Sequence, residues 1–281
     1  MTKHIFEPSV VEAFRHYLID EERSEETIRK YLHDVKAFLG FLGGVSPGKE
    51  EVVSYKKHLT ENYAPASVNS MIAAINTFFA FHGWTHLKVK PLKIQRSLFA
   101  PPEKELSRDE YKNLLRTAKR KNNERLALLM QTICGTGIRV SELQYITVEA
   151  VKSGRAEVTG KNKRRTIFIV KELKEILLHY ARKNNIAEGC IFISRNGTPL
   201  SRHRIWADMK ALCADAGVDP RKVFPHNLRH LFARTFYSIE KDLGRLADIL
   251  GHTNVNTTRI YTQECGREHE RILSRMRLVS S

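Results

Sequence analysis

The sequence predicts a mainly α-helical protein in two parts, with one small antiparallel sheet in the second part. Three observations carry that expectation. Apolar residues recur at helical spacing, i, i+3, i+4, i+7, along most of the chain. Residues 155–170, RAEVTGKNKRRTIFIV, instead alternate and are rich in β-branched side chains, which is the pattern of a hairpin with a basic turn. Between the two helical blocks, residues 88–104, KVKPLKIQRSLFAPPEK, hold three prolines, and proline disfavours helix at its own and the preceding position. The parts read as 1–87, a connector at 88–104, and 105–281.

The first part reads as four helices. PSVVEAFRHYLI, residues 8–19, places Val10, Val11, Phe14, Leu18 and Ile19 at helical spacing. Ser24 suits the cap of a second helix, TIRKYLHDVKAFLGFL, which stops at Gly43 and Gly44. EEVVSYKKHLTEN is the third. Ser67 suits the cap of the fourth, VNSMIAAINTFFAFHGW, in which Met71, Ile75, Phe78 and Phe79 form one stripe that reads as core. In the connector, Lys88, Lys90, Lys93 and Arg96 suit a phosphate backbone; a merely solvated connector is the other reading.

The second part opens on SRDE, residues 107–110, a capping box in which Ser107 and Glu110 satisfy each other's backbone. A helix to about Lys121 follows, then the apolar NERLALLMQTICGTG, ending in glycines. Another helix is expected near Ile138. After the hairpin come the helix ELKEILLHYARKN, a short buried strand CIFIS, a turn RNGTPLS and the helix RIWADMKALCADAG. From Pro225 the pattern stays helical through HNLRHLFARTFYS, DLGRLADIL, VNTTRIYT and REHERILSRMRL.

Charge narrows the partners. The net charge is +16 over 281 residues. Residues 1–100 hold 13 Lys+Arg against 11 Asp+Glu, so nearly all of the excess lies in residues 101–281, with 34 against 20. Such a concentration suits a polyanion, nucleic acid before membrane surface. No apolar run approaches the ~18 residues of a membrane span. The first residues, MTKHIFEPSVVE, are interrupted by acids and lead into no apolar segment of a signal peptide. The four cysteines, Cys134, Cys190, Cys213 and Cys265, form no CxxC pair, which fits a reducing cytoplasm better than a disulfide frame or zinc site.

Breaking a DNA phosphodiester calls for a nucleophile at phosphorus, a proton for the leaving oxygen, and fixed cations for the charge that builds between them. The sequence contains no DxD, HExxH or GxxxxGK[ST] segment. It does set out basic residues and a tyrosine in suggestive places. Arg139 follows the glycine punctuation of GTGIRVSEL, at an expected helix start where N–H groups favour an anion. His226 and Arg229 stand three apart, on one helical face, in PHNLRH. Lys161 falls at the tip of the hairpin. His252 follows a glycine, and Tyr261 comes nine residues later in LGHTNVNTTRIYT.

The segments GTGIRVSEL, TGKNKRR, PHNLRHLFA and LGHTNVNTTRIYT resemble the four signature segments of the tyrosine recombinases, the phage-integrase and Xer-type family. They stand in that family's order, R…K…HxxR…H…Y. The resemblance implies a helical core-binding, SAM-like domain followed by a mixed α/β catalytic domain of the DNA breaking-rejoining fold. It implies a site-specific recombinase that needs neither metal nor ATP and works as a tetramer on double-stranded DNA. Tyr261 would be the nucleophile, forming a 3′-phosphotyrosyl bond. Arg139 and Arg229 would clamp the phosphate oxygens, His252 would donate to them, His226 would assist Tyr261 as base, and Lys161 would protonate the leaving oxygen. Integration or excision of a mobile element and resolution of chromosome or plasmid dimers are the expected roles. The expected setting is the cytoplasm of a bacterium, or of a phage's or mobile element's host.

Several readings stay open at this stage. GKNKRR is one residue shorter than the hairpin of many relatives, so Lys163 rivals Lys161. Lys163, Arg164 and Arg165 otherwise read as phosphate contacts or a solvated charge run. Glu142, three residues after Arg139, reads as its orienting partner or as an ordinary surface acid. His230 lies off the face of His226 and Arg229 and reads as structural; Thr257, Thr258 and Arg259 read as shaping the tyrosine's helix. The last helix, with Ile272, Leu273, Met276 and Leu278, would dock on a neighbouring subunit or on its own domain. Homo- and hetero-tetramers and an accessory directionality protein are both compatible with the residues. A type IB topoisomerase-like monomer and a non-catalytic DNA-binding protein of the same fold are the competing functions.

Overall fold

The computed structural model describes residues 8–94, 105–159, 164–194, 196–252, 254–261 and 274–276. The chain divides into two compact units, Met1–Arg96 and Ser97–Ser281. It is mainly helical, with a two-stranded antiparallel sheet in the second unit. Among the described residues no helix is long and apolar enough to cross a membrane.

In the first unit α1 (Pro8–Asp20), α2 (Glu25–Leu42), α3 (Lys49–Asn62) and α4 (Pro65–Phe81) surround one apolar core. Ser24 caps α2 as expected, its Oγ accepting the Thr27 N–H at 3.3 Å. That helix ends where Gly43 takes φ +58°, in the left-handed region. The fourth helix starts two residues before the expected cap at Ser67. Pro65 opens it, because proline's fixed φ suits the first turn and its missing N–H is one the helix could not bond anyway. The aromatic stripe is core: Phe14, Phe38, Phe78 and Phe79 are fully buried. Phe14 meets Phe78 edge-on at 5.2 Å, and Phe38 meets Phe79 at 5.6 Å. Residues 88–94 lie along this unit, with Val89 buried in its core, instead of running free as a connector. Arg96 and residues 95–104 fall outside the described residues.

In the second unit the capping box starts α5 (Arg108–Arg120). Ser107 Oγ accepts from Glu110 N at 3.1 Å, and Glu110 accepts from Ser107 N at 2.7 Å. The next helix, α6 (Glu124–Thr136), is the spine of the unit, with Leu126, Ala127, Leu129, Met130 and Ile133 all buried. It stops at Gly137, φ +65°. The helix expected near Ile138 is a tight 3₁₀ turn, Val140–Tyr145, capped by Arg139. Beyond it come α7 (Val148–Ser153) and the hairpin strands β1 (Arg155–Thr159) and β2 (Arg164–Phe168), paired from Arg155 opposite Phe168 to Thr159 opposite Arg164.

After the hairpin comes α8 (Lys171–Lys183). CIFIS is not a strand. It makes two isolated bridges, Thr147 with Cys190 and Ile193 with Pro199, while Ile191 and Phe192 are buried as expected. Four apolar residues and a serine, of which only Cys190 and Ile193 bridge one partner each, give burial but no ladder. The helix expected through RIWADMKALCADAG breaks into α9 (Arg202–Lys210) and α10 (Cys213–Ala216). Then follow α11 (Pro225–Glu240), α12 (Leu243–Leu250), the short α13 (Val255–Thr258) and a 3₁₀ turn, Arg259–Tyr261. Of the terminal helix, residues 274–276 are described, so the docking of Ile272, Leu273 and Leu278 lies outside the described residues.

Ile133 is fully buried in the last turn of α6. Ile133→Ala should cost the second unit about 2–5 kcal/mol, lowering its urea midpoint with little change in slope.

Candidate active site

The last carbonyls of a helix have no partner inside it, and the helix dipole makes that end negative. The C-terminus of α12 uses both properties. Ile249 O accepts from Arg165 Nη1 at 3.0 Å, Leu250 O from Arg229 Nη2 at 2.7 Å, and Gly251 O from Arg139 Nη2 at 3.4 Å. Three successive carbonyls thus gather three guanidiniums from three distant segments. Arg229 also donates Nη1 to Gly137 O, at 2.6 Å, where α6 ends. Its side chain is buried in α11, and its Nε has no acceptor among the described residues.

Two glycines make this convergence possible. At Gly251, φ is +64° and a Cβ would sit 2.7 Å from Arg165 Cδ. At Gly137, a Cβ would fall 2.5 Å from the Phe232 ring. Both positions need the left-handed backbone and the missing side chain together.

Glu142 is the shared counter-ion. Its Oε1 accepts from Arg139 Nη1 at 2.9 Å, and its Oε2 accepts from the Arg139 N–H at 2.9 Å and from Arg165 Nη2. Burial alone would raise its pKa, but the Arg139 N–H bond and the charges of Arg165 and Arg139 hold it below the usual carboxylate range. Of the two open readings, the structure bears out the orienting one: Glu142 fixes two arginines. Arg165 corrects the reading of a solvated charge run. Its side chain is 11% exposed and committed to Glu142 and Ile249. Arg164, one residue earlier, is exposed at the start of β2.

The imidazoles complete the pocket. Arg229 Nη2 lies 3.1 Å from His252 Nε2. Since a guanidinium only donates, Nε2 accepts, and Nδ1 carries the hydrogen it gives to Thr258 Oγ1 at 2.8 Å. Burial first, then Arg229, Arg139 and Arg165, push the His252 pKa down to about 4. Thr258 is fully buried and accepts that hydrogen, a role its place in the sequence did not signal.

His226 stands at the exposed rim, lowered by burial and by Arg229 and Arg139. His230, read from spacing as off the site, is in it: its ring meets Tyr261 at 4.8 Å and His226 at 4.6 Å. Burial, His226 and Arg229 push it to about 4. Tyr261 is 3% exposed, packed with Ala233, Leu246 and Leu250, its ring stacked 6.1 Å from that of His252. Arg139, His226, Arg229, His252 and Tyr261 therefore converge as the spacing suggested. Lys161 and Lys163 lie outside the described residues.

A tyrosine packed among neutral imidazoles and a cluster of guanidiniums is a site for an anion that the phenol can approach. Known proteins show the same family and fold. Residues 104–266 match the Phage integrase family, and residues 11–86 match the phage integrase N-terminal SAM-like domain. The tyrosine recombinase XerA of Pyrococcus furiosus is 30% identical over 100% of this chain and 98% of its own. That of Thermococcus kodakarensis is 32% identical over 90% of each. Among solved structures, a lambda integrase dimer bound to a COC′ core site superposes with a TM-score of 0.73 at 19% identity, over 90% of this chain and 94% of that one. XerH bound to palindromic difH, a post-cleavage complex, gives 0.72 at 20% identity, over 88% and 79%. The chain belongs to the phage integrase family, and so is a tyrosine-type site-specific recombinase.

The depressed imidazoles set a pH dependence. His230 and His252 stay neutral when folded but take protons near 6.5 when unfolded, so stability is full above 6.5 and falls as pH drops toward 4. Melting temperature should fall between pH 7.5 and 5.0. In His230→Gln that fall should shrink by roughly 4–8 °C.

Proposed function

We propose that this recombinase exchanges strands between two DNA duplexes, with Tyr261 as nucleophile. The phenol oxygen attacks phosphorus, the bond to the 5′ oxygen breaks, and a 3′-phosphotyrosyl link forms. A 5′ hydroxyl from the partner duplex then attacks that link and releases the tyrosine, so the bond energy is retained with no ATP. A phenol of pKa ~10 is a poor nucleophile at neutral pH and needs a base and cations close by. His226 takes the base role, with Arg139 and Arg229 on the nonbridging oxygens and His252 beside them. Lys161, between β1 and β2 in the sequence, protonates the leaving 5′ oxygen. The observation that carries the reading is the gathering of Arg139, Arg165 and Arg229 on Ile249–Gly251, against the wall that holds Tyr261. Glu142 is the one carboxylate paired with these three among the described residues, which leaves the pocket in want of an anion.

Double-stranded DNA is the partner, held in part by Lys88, Lys90 and Lys93, which are exposed, and by Arg96, Lys163 and Arg164. The working form is a tetramer of this chain, or of this chain with a relative, aided where direction matters by an accessory protein. Residues 1–87 act as the core-binding domain with 88–94 packed on it, the rest of 88–104 as linker and 105–281 as the catalytic domain. Mobile-element integration or excision and dimer resolution both fit this machinery, in the cytoplasm of the host cell.

On a nicked suicide duplex, Tyr261→Phe should bind DNA as the parent does and leave no protein-linked strand. A persistent adduct would move the nucleophile elsewhere, Tyr237 first. Lys161→Ala should lose ~10²-fold or more in cleavage and recover when sulfur replaces the leaving 5′ oxygen. Absence of recovery would assign the acid role to Lys163 or another group.

A further inference from the structure

Residues 86–92 are tied down by side chains from two helices. On α4, Asn69 Nδ2 donates to Leu92 O at 2.9 Å, and Asn69 Oδ1 accepts from Leu92 N at 2.6 Å. Asn76 does the same for Val89, at 2.8 and 3.0 Å. Each amide thus satisfies both backbone groups of one residue, as a neighbouring strand would. On α3, Lys49 Nζ donates to His86 O and Lys88 O, and Lys56 Nζ to Lys90 O at 2.7 Å.

The spacings agree. Asn69 and Asn76 are seven residues apart, about 10.5 Å along a helix. Val89 and Leu92 are three apart, about 10 Å in extended chain. Lys49 and Lys56 repeat the seven-residue interval on the other helix. Pro91 has no N–H and so leaves no donor unmet in the clamped stretch. With Val89 buried and Leu92 packed on the core, Lys88, Lys90 and Lys93 are left exposed.

We propose that Asn69 and Asn76 are positioning residues for DNA binding: by clamping Val89 and Leu92 they hold Lys88, Lys90 and Lys93 as a preset row for a DNA phosphate backbone. The proposal rests on the reading of those lysines as DNA contacts. It adds that their affinity comes from being ordered before DNA arrives, so that binding does not bear the full ordering cost. The asparagines would never touch DNA.

The test is a double-mutant cycle on the full chain, with anisotropy of a labelled duplex between 50 and 300 mM KCl. The triple variant Lys88→Ala, Lys90→Ala, Lys93→Ala should reduce the slope of log K against log [salt] by roughly 2–3. Asn69→Ala with Asn76→Ala should weaken binding about three- to thirtyfold. Combined, the five changes should cost no more than the lysine changes alone. Hydrogen exchange should speed up at the Val89 and Leu92 amides in the asparagine variant, with the α1–α4 core protected as in the parent. A triple variant that binds as the parent does sinks the lysine reading itself. A weakened triple beside an unaffected asparagine variant, or additive losses, overturns the clamp alone.

Discussion

The negative end of α12 is the constraint on which the pocket depends. Two like charges 4 Å apart repel by roughly 4 kcal/mol at an effective dielectric constant of 20. A favourable helix end returns ~0.3–2 kcal/mol per cation. The carbonyls of Ile249, Leu250 and Gly251 therefore direct Arg165, Arg229 and Arg139 without neutralising them. Glu142 relieves two of the three and leaves Arg229, the most buried, with carbonyls and an imidazole. The strain of crowding is visible in Arg229 itself, whose pKa burial and its two neighbours bring down to about 10, still far above neutral pH. A phosphate diester entering the pocket would supply the missing charge. Its binding would be strongest where the protein alone is least comfortable.

The same field fixes the imidazoles. Burial first, and then the guanidiniums beside them (all three for His252, Arg229 for His230), make a further positive charge costly, so both rings are neutral at pH 7. A neutral ring has one donor and one acceptor. Arg229 claims the acceptor of His252 in the free protein, and Thr258 takes its donor. For His252 to donate to a phosphate, Arg229 must leave Nε2 for the ligand and the ring must take its other tautomer, with the hydrogen on Nε2 and Nδ1 accepting from the Thr258 hydroxyl. His226 meets His230 edge to face at 4.6 Å and His230 meets Tyr261 at 4.8 Å, so the rings beside the phenol are imidazoles held in their neutral form.

Much of this was legible in the sequence, and the failures have physical reasons. Helical spacing gave the bundle of the first unit, and residue order gave Arg139, His226, Arg229, His252 and Tyr261. Arg165 was misread because KRR looks like a solvated run. The strand period held the correction: Arg165 pairs with buried Val158, whereas Arg164 pairs with exposed Thr159, so one points in and the other out. His230 was misplaced because i+1 on a helix turns only ~100° and the tyrosine arrives from another segment to meet it. Thr258 had no signal, since a threonine six residues after a histidine marks nothing until the chain folds back. The Ser67 cap lost to Pro65, a competition between two valid helix starts two residues apart.

Stability and function share their parts here. Gly137 ends α6 and gives its carbonyl to Arg229; Gly251 ends α12 and gives its carbonyl to Arg139. Each helix stop is thus also a wall of the pocket. Any residue with a Cβ would strain the left-handed turn, and at Gly251 it would also collide with Arg165, which braces Glu142 and through it Arg139. A change at that one position would therefore reach two of the three guanidiniums, Arg165 by collision and Arg139 through the Gly251 carbonyl and Glu142. In the first unit, the heptad-spaced asparagines and lysines do comparable work on 86–92, turning a proline-bearing stretch into an ordered edge. In both units, backbone groups that regular structure leaves over are met by polar side chains, and that is where the cations stand.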